Sequence, residues 1–149
     1  MTARTESPID SQSSRTVRGR LIWASLLAMA TATAANLGLY AIAGYLFPYV
    51  AAWTGTSSTH VIVATNVYLT LATLVFAVVR RFSSRPAYHY RIVATLSLLF
   101  SMGPPLSLGF GPGLPSVPPA DPTIAITLGL MHIISYAISV PVFIRMALD

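Results

Sequence analysis

Long stretches of apolar sequence with almost no charge constrain this chain more than any other feature. From Leu21 to Phe47 there is no Asp, Glu, Lys, Arg or Pro, which is more than the ~20 residues needed to cross ~30 Å of hydrocarbon. Similar stretches follow from about Thr59 to Val79, from about Pro86 to Leu106 and from Thr123 to about Ile144. Backbone polar groups inside a bilayer must be satisfied within the segment, so each stretch is expected to be a helix. The fold class that follows is all-α: a polytopic membrane protein built as a four-transmembrane-helix bundle.

Composition supports a lipid solvent. The chain has 149 residues, of which 54% are hydrophobic and only 9% charged, against about a quarter charged in ordinary soluble domains. All nine basic residues are Arg, which with the many Ala and Thr residues points to a GC-rich bacterial genome. The net charge of +5 does not indicate nucleic-acid binding, because the Arg residues sit in short segments between apolar runs rather than on a folded basic face. Absence of cysteine excludes disulfides, thiol catalysis, cysteine-ligated metal and S-acylation.

Residues 1–19 are rich in Ser, Thr and Arg and have little to bury, so they are expected to form a disordered cytoplasmic tail. Residues 20–149 form a single four-helix domain. A cleaved signal peptide is the rival reading of helix one, since Arg18 and Arg20 precede an apolar run containing Ala32-Thr33-Ala34. That run continues well beyond Ala34, to Phe47, and three more apolar segments follow.

Thr54-Gly55-Thr56-Ser57-Ser58 leads into helix two, and Arg80-Arg81 stops it. Pro86 suits the first turn of helix three. From Gly103 to Pro122 the chain is dense in proline and glycine, so this stretch is expected to be a loop outside the bilayer core. Asp121 reads as an N-cap with Pro122 at the first position of helix four, and Pro141 is expected to kink that helix.

Arg residues alternate by segment. Four lie up to Arg20, none from Pro48 to Ser58, four from Arg80 to Arg91, none from Gly103 to Pro122 and one, Arg145, at the C-terminus. The positive-inside rule then places both termini in the cytoplasm of a bacterium, with the chain in its plasma membrane. Trp23, Tyr88 and Tyr90 are expected in the inner aromatic belt, and Tyr45, Tyr49 and Trp53 in the outer one.

Apart from Arg91 near the start of the third, polar residues within the spans are neutral. Thr33, Asn36 and Tyr40 share a face of helix one; Thr59, Asn66, Thr70 and Thr73 a face of helix two; His132, Ser135, Tyr136 and Ser139 a face of helix four. At ~1.5 Å per residue Asn36 lies ~16 Å from the outer end, Asn66 ~10 Å, His132 ~14 Å and Ser101 ~8 Å. They could meet. One reading makes Asn36, Tyr40, Asn66, Ser97, Ser101, His132, Ser135 and Tyr136 interhelical hydrogen-bonding groups, with Ala30, Ala34 and Gly38 allowing close helix approach. The other makes them a small-molecule pocket around His132.

Enzyme chemistry has little to stand on, and no catalytic residue is expected. Proton-coupled exporters of this size carry a membrane-embedded glutamate in the first helix, where this chain offers only Asn36. Haem ligation needs two histidines at one depth, whereas His60 and His132 differ by ~12 Å. A Gly-x-Ser-x-Gly elbow, an acid pair and a phosphate-binding loop are all absent from the sequence, and no cofactor or metal is expected.

Ala35-Asn36-Leu37 with Tyr40, Leu96-Ser97-Leu98-Leu99 running into Gly103-Pro104, and Leu130-Met131-His132 with the later Arg145 together resemble an uncharacterised family. Its members are small four-helix membrane proteins found mainly in high-GC Gram-positive bacteria. The resemblance covers roughly residues 20 to 147. It implies a single four-helix domain, singles out Asn36, Ser97, Pro104 and His132, and supplies no activity. The expected function is a non-enzymatic structural, accessory or self-associating membrane protein, partnered by the lipid bilayer and by further copies or another membrane protein. The alternative is a carrier or sensor of a small molecule.

Overall fold

The computed structural model describes the backbone of residues 8–148 and the side chains of residues 19–148. Its elements are α1 (Pro8–Leu46), α2 (Pro48–Ala52), α3 (Ser58–Phe82), α4 (Pro86–Ser101), α5 (Gly103–Phe110) and α6 (Pro122–Leu148), with no strand among the described residues. Four segments are long and apolar enough to cross a membrane: Gly19–Leu46, Ser58–Phe82, Pro86–Phe110 and Pro122–Leu148.

Two boundaries differ from the sequence reading. The first is the start of helix one: α1 begins at Pro8, earlier than the start near Leu21 read from the sequence. Once an apolar span has nucleated a helix, each added residue gains a hydrogen bond at small further cost, and proline suits a first turn. The expected disorder of residues 1–7 falls outside the described residues.

The second is the proline-rich stretch. Rather than a loop from Gly103, a helix resumes at once as α5, with Pro104 and Pro105 in its first turn, where a missing N–H costs nothing. Met102 N–H still reaches the Leu98 carbonyl at 3.1 Å, and Leu106 N–H the Met102 carbonyl at 3.1 Å. The third span therefore runs through α4 and α5, and the loop starts only at Gly111. There Gly113, at φ +81, takes a backbone conformation that side chains disfavour.

Caps behave as the sequence indicates. Ser57 accepts the His60 N–H at 3.3 Å, and Asp121 Oδ1 accepts the Thr123 N–H at 2.8 Å. Proline before a helix also ends α1: Phe47, preceding Pro48, sits at φ −131 and ψ 85, outside the helical region. The five-residue α2 was not anticipated; it folds back on α1 and buries Val50. α6 carries on through Pro141 to Leu148.

α6 is the hub, touching α1, α3, α4 and α5, while α1 also packs on α3 and α2. The α1 side of this packing is a stripe of Ala24, Ala28, Ala32 and Asn36, all buried. The small-residue seam was expected on Ala30, Ala34 and Gly38. Instead Ala30 and Ala34 are exposed, and a Cβ at Gly38 would meet nothing within 4 Å. Both stripes repeat every fourth residue, but they lie two residues apart, roughly opposite each other on a 3.6-residue turn.

At the end carrying Arg80 to Arg91 the bundle is closed by three rings. Phe76 of α3 lies edge-on to Tyr90 of α4 with centroids 4.8 Å apart, and Phe143 of α6 stacks on Phe76 at 5.5 Å. Tyr90, assigned from sequence to the aromatic belt, is only 2% exposed. Belt and core tyrosines have the same composition and differ only in which way the helix turns them. Trp23, Tyr88, Tyr45 and Tyr49 are exposed as expected.

Candidate functional site

A cavity of about 910 Å³ lies between α3 and α4, with α6 as its back wall. Its lining runs along α3 from His60 to Val75, a rise of about 22 Å at 1.5 Å per residue. It is thus a groove covering most of a ~30 Å hydrocarbon core rather than a compact hole. Tyr90 closes one end; Trp53, Thr56, Leu114 and Val117 surround the other. Its rims are the exposed apolar side chains Leu71 of α3 and Leu96 and Phe100 of α4, so in a bilayer it would open sideways to lipid.

Polar groups line the back of the groove. Asn36 reaches it from α1 and is only 2% exposed. Its amide lies 3.1 Å from Thr65 Oγ1 of α3 and 2.9 Å from Ser135 Oγ of α6, so one side chain ties three spans together. Asn36 Oδ1 is buried with no hydrogen-bond partner among the described residues. Since amide oxygen and nitrogen are assigned by their partners, a flipped Asn36 would accept from both hydroxyls and leave the NH₂ end orphaned instead. Either way the amide has an unmet end.

His132 stands one helical turn along α6 from Ser135. Its Nδ1 lies 2.8 Å from the Leu128 carbonyl. A carbonyl can only accept, so Nδ1 carries the proton, and in the neutral ring Nε2 is left as a lone-pair acceptor. The imidazole tilts against Tyr68 of α3 with centroids 6.1 Å apart.

Of the residues singled out from sequence, Asn36, Ser97, Ser101, His132, Ser135 and Tyr136 line this one groove. Ser101 turns its hydroxyl back to the Leu98 carbonyl at 2.8 Å. Tyr136 shares a hydrogen bond with Thr95 at 2.9 Å. Tyr40 and Asn66 are elsewhere. Tyr40 packs with Ala43, Val50 and Ile124 at the α1–α2 corner. Asn66 donates to Thr33 Oγ1 at 3.2 Å and to the Ile62 carbonyl at 2.8 Å, on the α1–α3 seam.

The residue of α3 that reaches Asn36 is Thr65, which was not singled out. One position on a helix is a 100° turn, and the inward stripe of α3 is Val61, Thr65, Leu69 and Phe76. Bulky apolar residues at that spacing were the available signal for it. Of the polar stripe read as Thr59, Asn66, Thr70 and Thr73, Asn66 and Thr73 meet α1, Thr73 reaching Ser25 at 3.0 Å, while Thr59 and Thr70 are exposed.

These features define an all-helical protein with four helices long and apolar enough to cross a membrane and a lateral, polar-backed groove between the second and third. Within that class the chain belongs to the family of unknown function DUF6069, whose model matches residues 14–149. The match includes the proline-rich stretch and extends a few residues into the N-terminal tail. No curated protein and no solved structure matches the chain.

Proposed function

We propose that this protein is a non-enzymatic membrane protein that holds a lipophilic small molecule in the α3–α4 groove, as a carrier or a sensor. The carrying observation is the groove: about 910 Å³, within the size range of small-molecule sites, mostly apolar, with a few convergent polar groups on one wall. Of the two sequence readings this favours the pocket around His132, while the hydrogen bonds from Asn36 serve as interhelical ties at the same time. Native mass spectrometry of the protein in mild detergent tests it. A bound small molecule on the wild type, lost from a still-folded His132→Ala protein, supports the proposal; a bare wild-type protein counts against it.

Self-association is the second reading, favoured by the unpacked stripe of Ala30, Ala34 and Gly38 beside Asn66. Small residues at this spacing permit close helix pairing. Ala34→Leu should then convert a dimer to monomers in the same spectra while leaving the bound molecule in place.

The topology belongs to the proposal too. Both termini and the Arg80–Arg91 segment are cytoplasmic, in the plasma membrane of a high-GC Gram-positive bacterium, on the strength of the Arg distribution, the composition and the family resemblance. Reporter fusions in the loop from Pro112 to Ala120 should read out as extracytoplasmic; cytoplasmic activity there would reverse the assignment.

A further inference from the structure

His132 gives the back wall of the groove one acceptor whose orientation is fixed. His132 presents Nε2, because the Leu128 carbonyl holds the ring proton at Nδ1. Asn36 has one unmet amide end, an acceptor in one orientation of the amide and a donor in the other, so it does not set a preference. Ser101 has already committed its hydroxyl proton to the Leu98 carbonyl. Tyr136 shares one hydrogen bond with Thr95.

An acceptor left unmet in a low-dielectric site is costly, more so than the average gain from a made hydrogen bond. A molecule that brings a proton to His132 relieves that cost, and one that brings only a further acceptor leaves it. The length of the groove, about 22 Å, and its open apolar rims ask for an extended chain attached to that donor.

From this, and resting on the binding reading above, we infer that the groove selects lipophiles carrying a hydroxyl or N–H donor, such as alkylphenols, quinols or long-chain alcohols, over matched molecules that can only accept. His132 Nε2 is the acceptor that sets the preference.

The test uses the full chain in detergent with para-dodecylphenol and its methyl ether, which differ by one donor. Native mass spectrometry titrations of both probes give the ratio of affinities, and melting temperature checks folding. The expected result is at least about tenfold tighter binding of the phenol, falling toward parity in His132→Phe while the ether binds as before. Reading the ratio within one variant removes any common loss from altered folding. Equal binding of the two probes by the wild type, or an unchanged ratio in His132→Phe, overturns the donor selectivity and leaves the binding reading standing. Binding of neither probe to the wild type overturns both.

Discussion

Two faces of α6 meet their neighbours in opposite ways. Toward α1 the contact runs along alanines, with Ala24, Ala28 and Ala32 fully buried, and the helices lie close enough for Asn36 to bridge to Ser135. Toward the α3–α4 edge the side chains are large and partly outward, and only 6% of the most apolar stretch of the third span is buried, against 33% for the fourth. Hydrophobicity cannot account for the difference, since all these surfaces are apolar and lipid tails would satisfy any of them. Residue size does: small side chains let backbones approach and gain dispersion contacts, and large ones hold them apart. One seam is built to stay shut and the other to leave room.

Substitutions should separate the two. The largest effect is expected where the groove is sealed: Phe76→Ala removes the ring that touches both Tyr90 and Phe143 and should cost about 3 kcal/mol, read as a lowered unfolding midpoint in detergent. Ala28→Leu forces bulk into the closed seam and should cost ~1–3 kcal/mol by the same assay. Asn36→Leu unties α1 from α3 and α6 and should cost ~0.6–2 kcal/mol. Leu96→Ala, on the groove rim, should change stability by less than about 0.5 kcal/mol. If Leu96→Ala destabilised as much as Ala28→Leu, the contrast between the seams would be wrong.

Much of this was legible in the sequence, for reasons that also explain the failures. Span number and approximate ends follow from charge, proline and cap residues, which act locally; Ser57, Asp121 and Pro122 behave as their chemistry dictates. Rotation about each helix axis does not act locally. In a span that is apolar all round, no polar face distinguishes core from lipid, so the α1 seam was displaced by two residues and Thr65 was passed over for Asn66. Gly103-Pro104-Pro105 misled differently: the same residues that end a helix also begin one, and only the packing of α5 against α6 decides. That packing is tight, since a Cβ at Gly109 would lie 2.3 Å from the Ala125 Cβ.

The central claim is that the α3–α4 groove holds a molecule in preference to the surrounding lipid surface. Photolabelling in native membranes with a long-chain diazirine probe, followed by peptide mapping, tests it directly. The account predicts that labels concentrate on groove residues such as Val75, Val93 and Ser97, well above the exposed apolar residues Ile22, Leu26 and Ile42 of α1. Labelling spread evenly over all exposed apolar positions would contradict it.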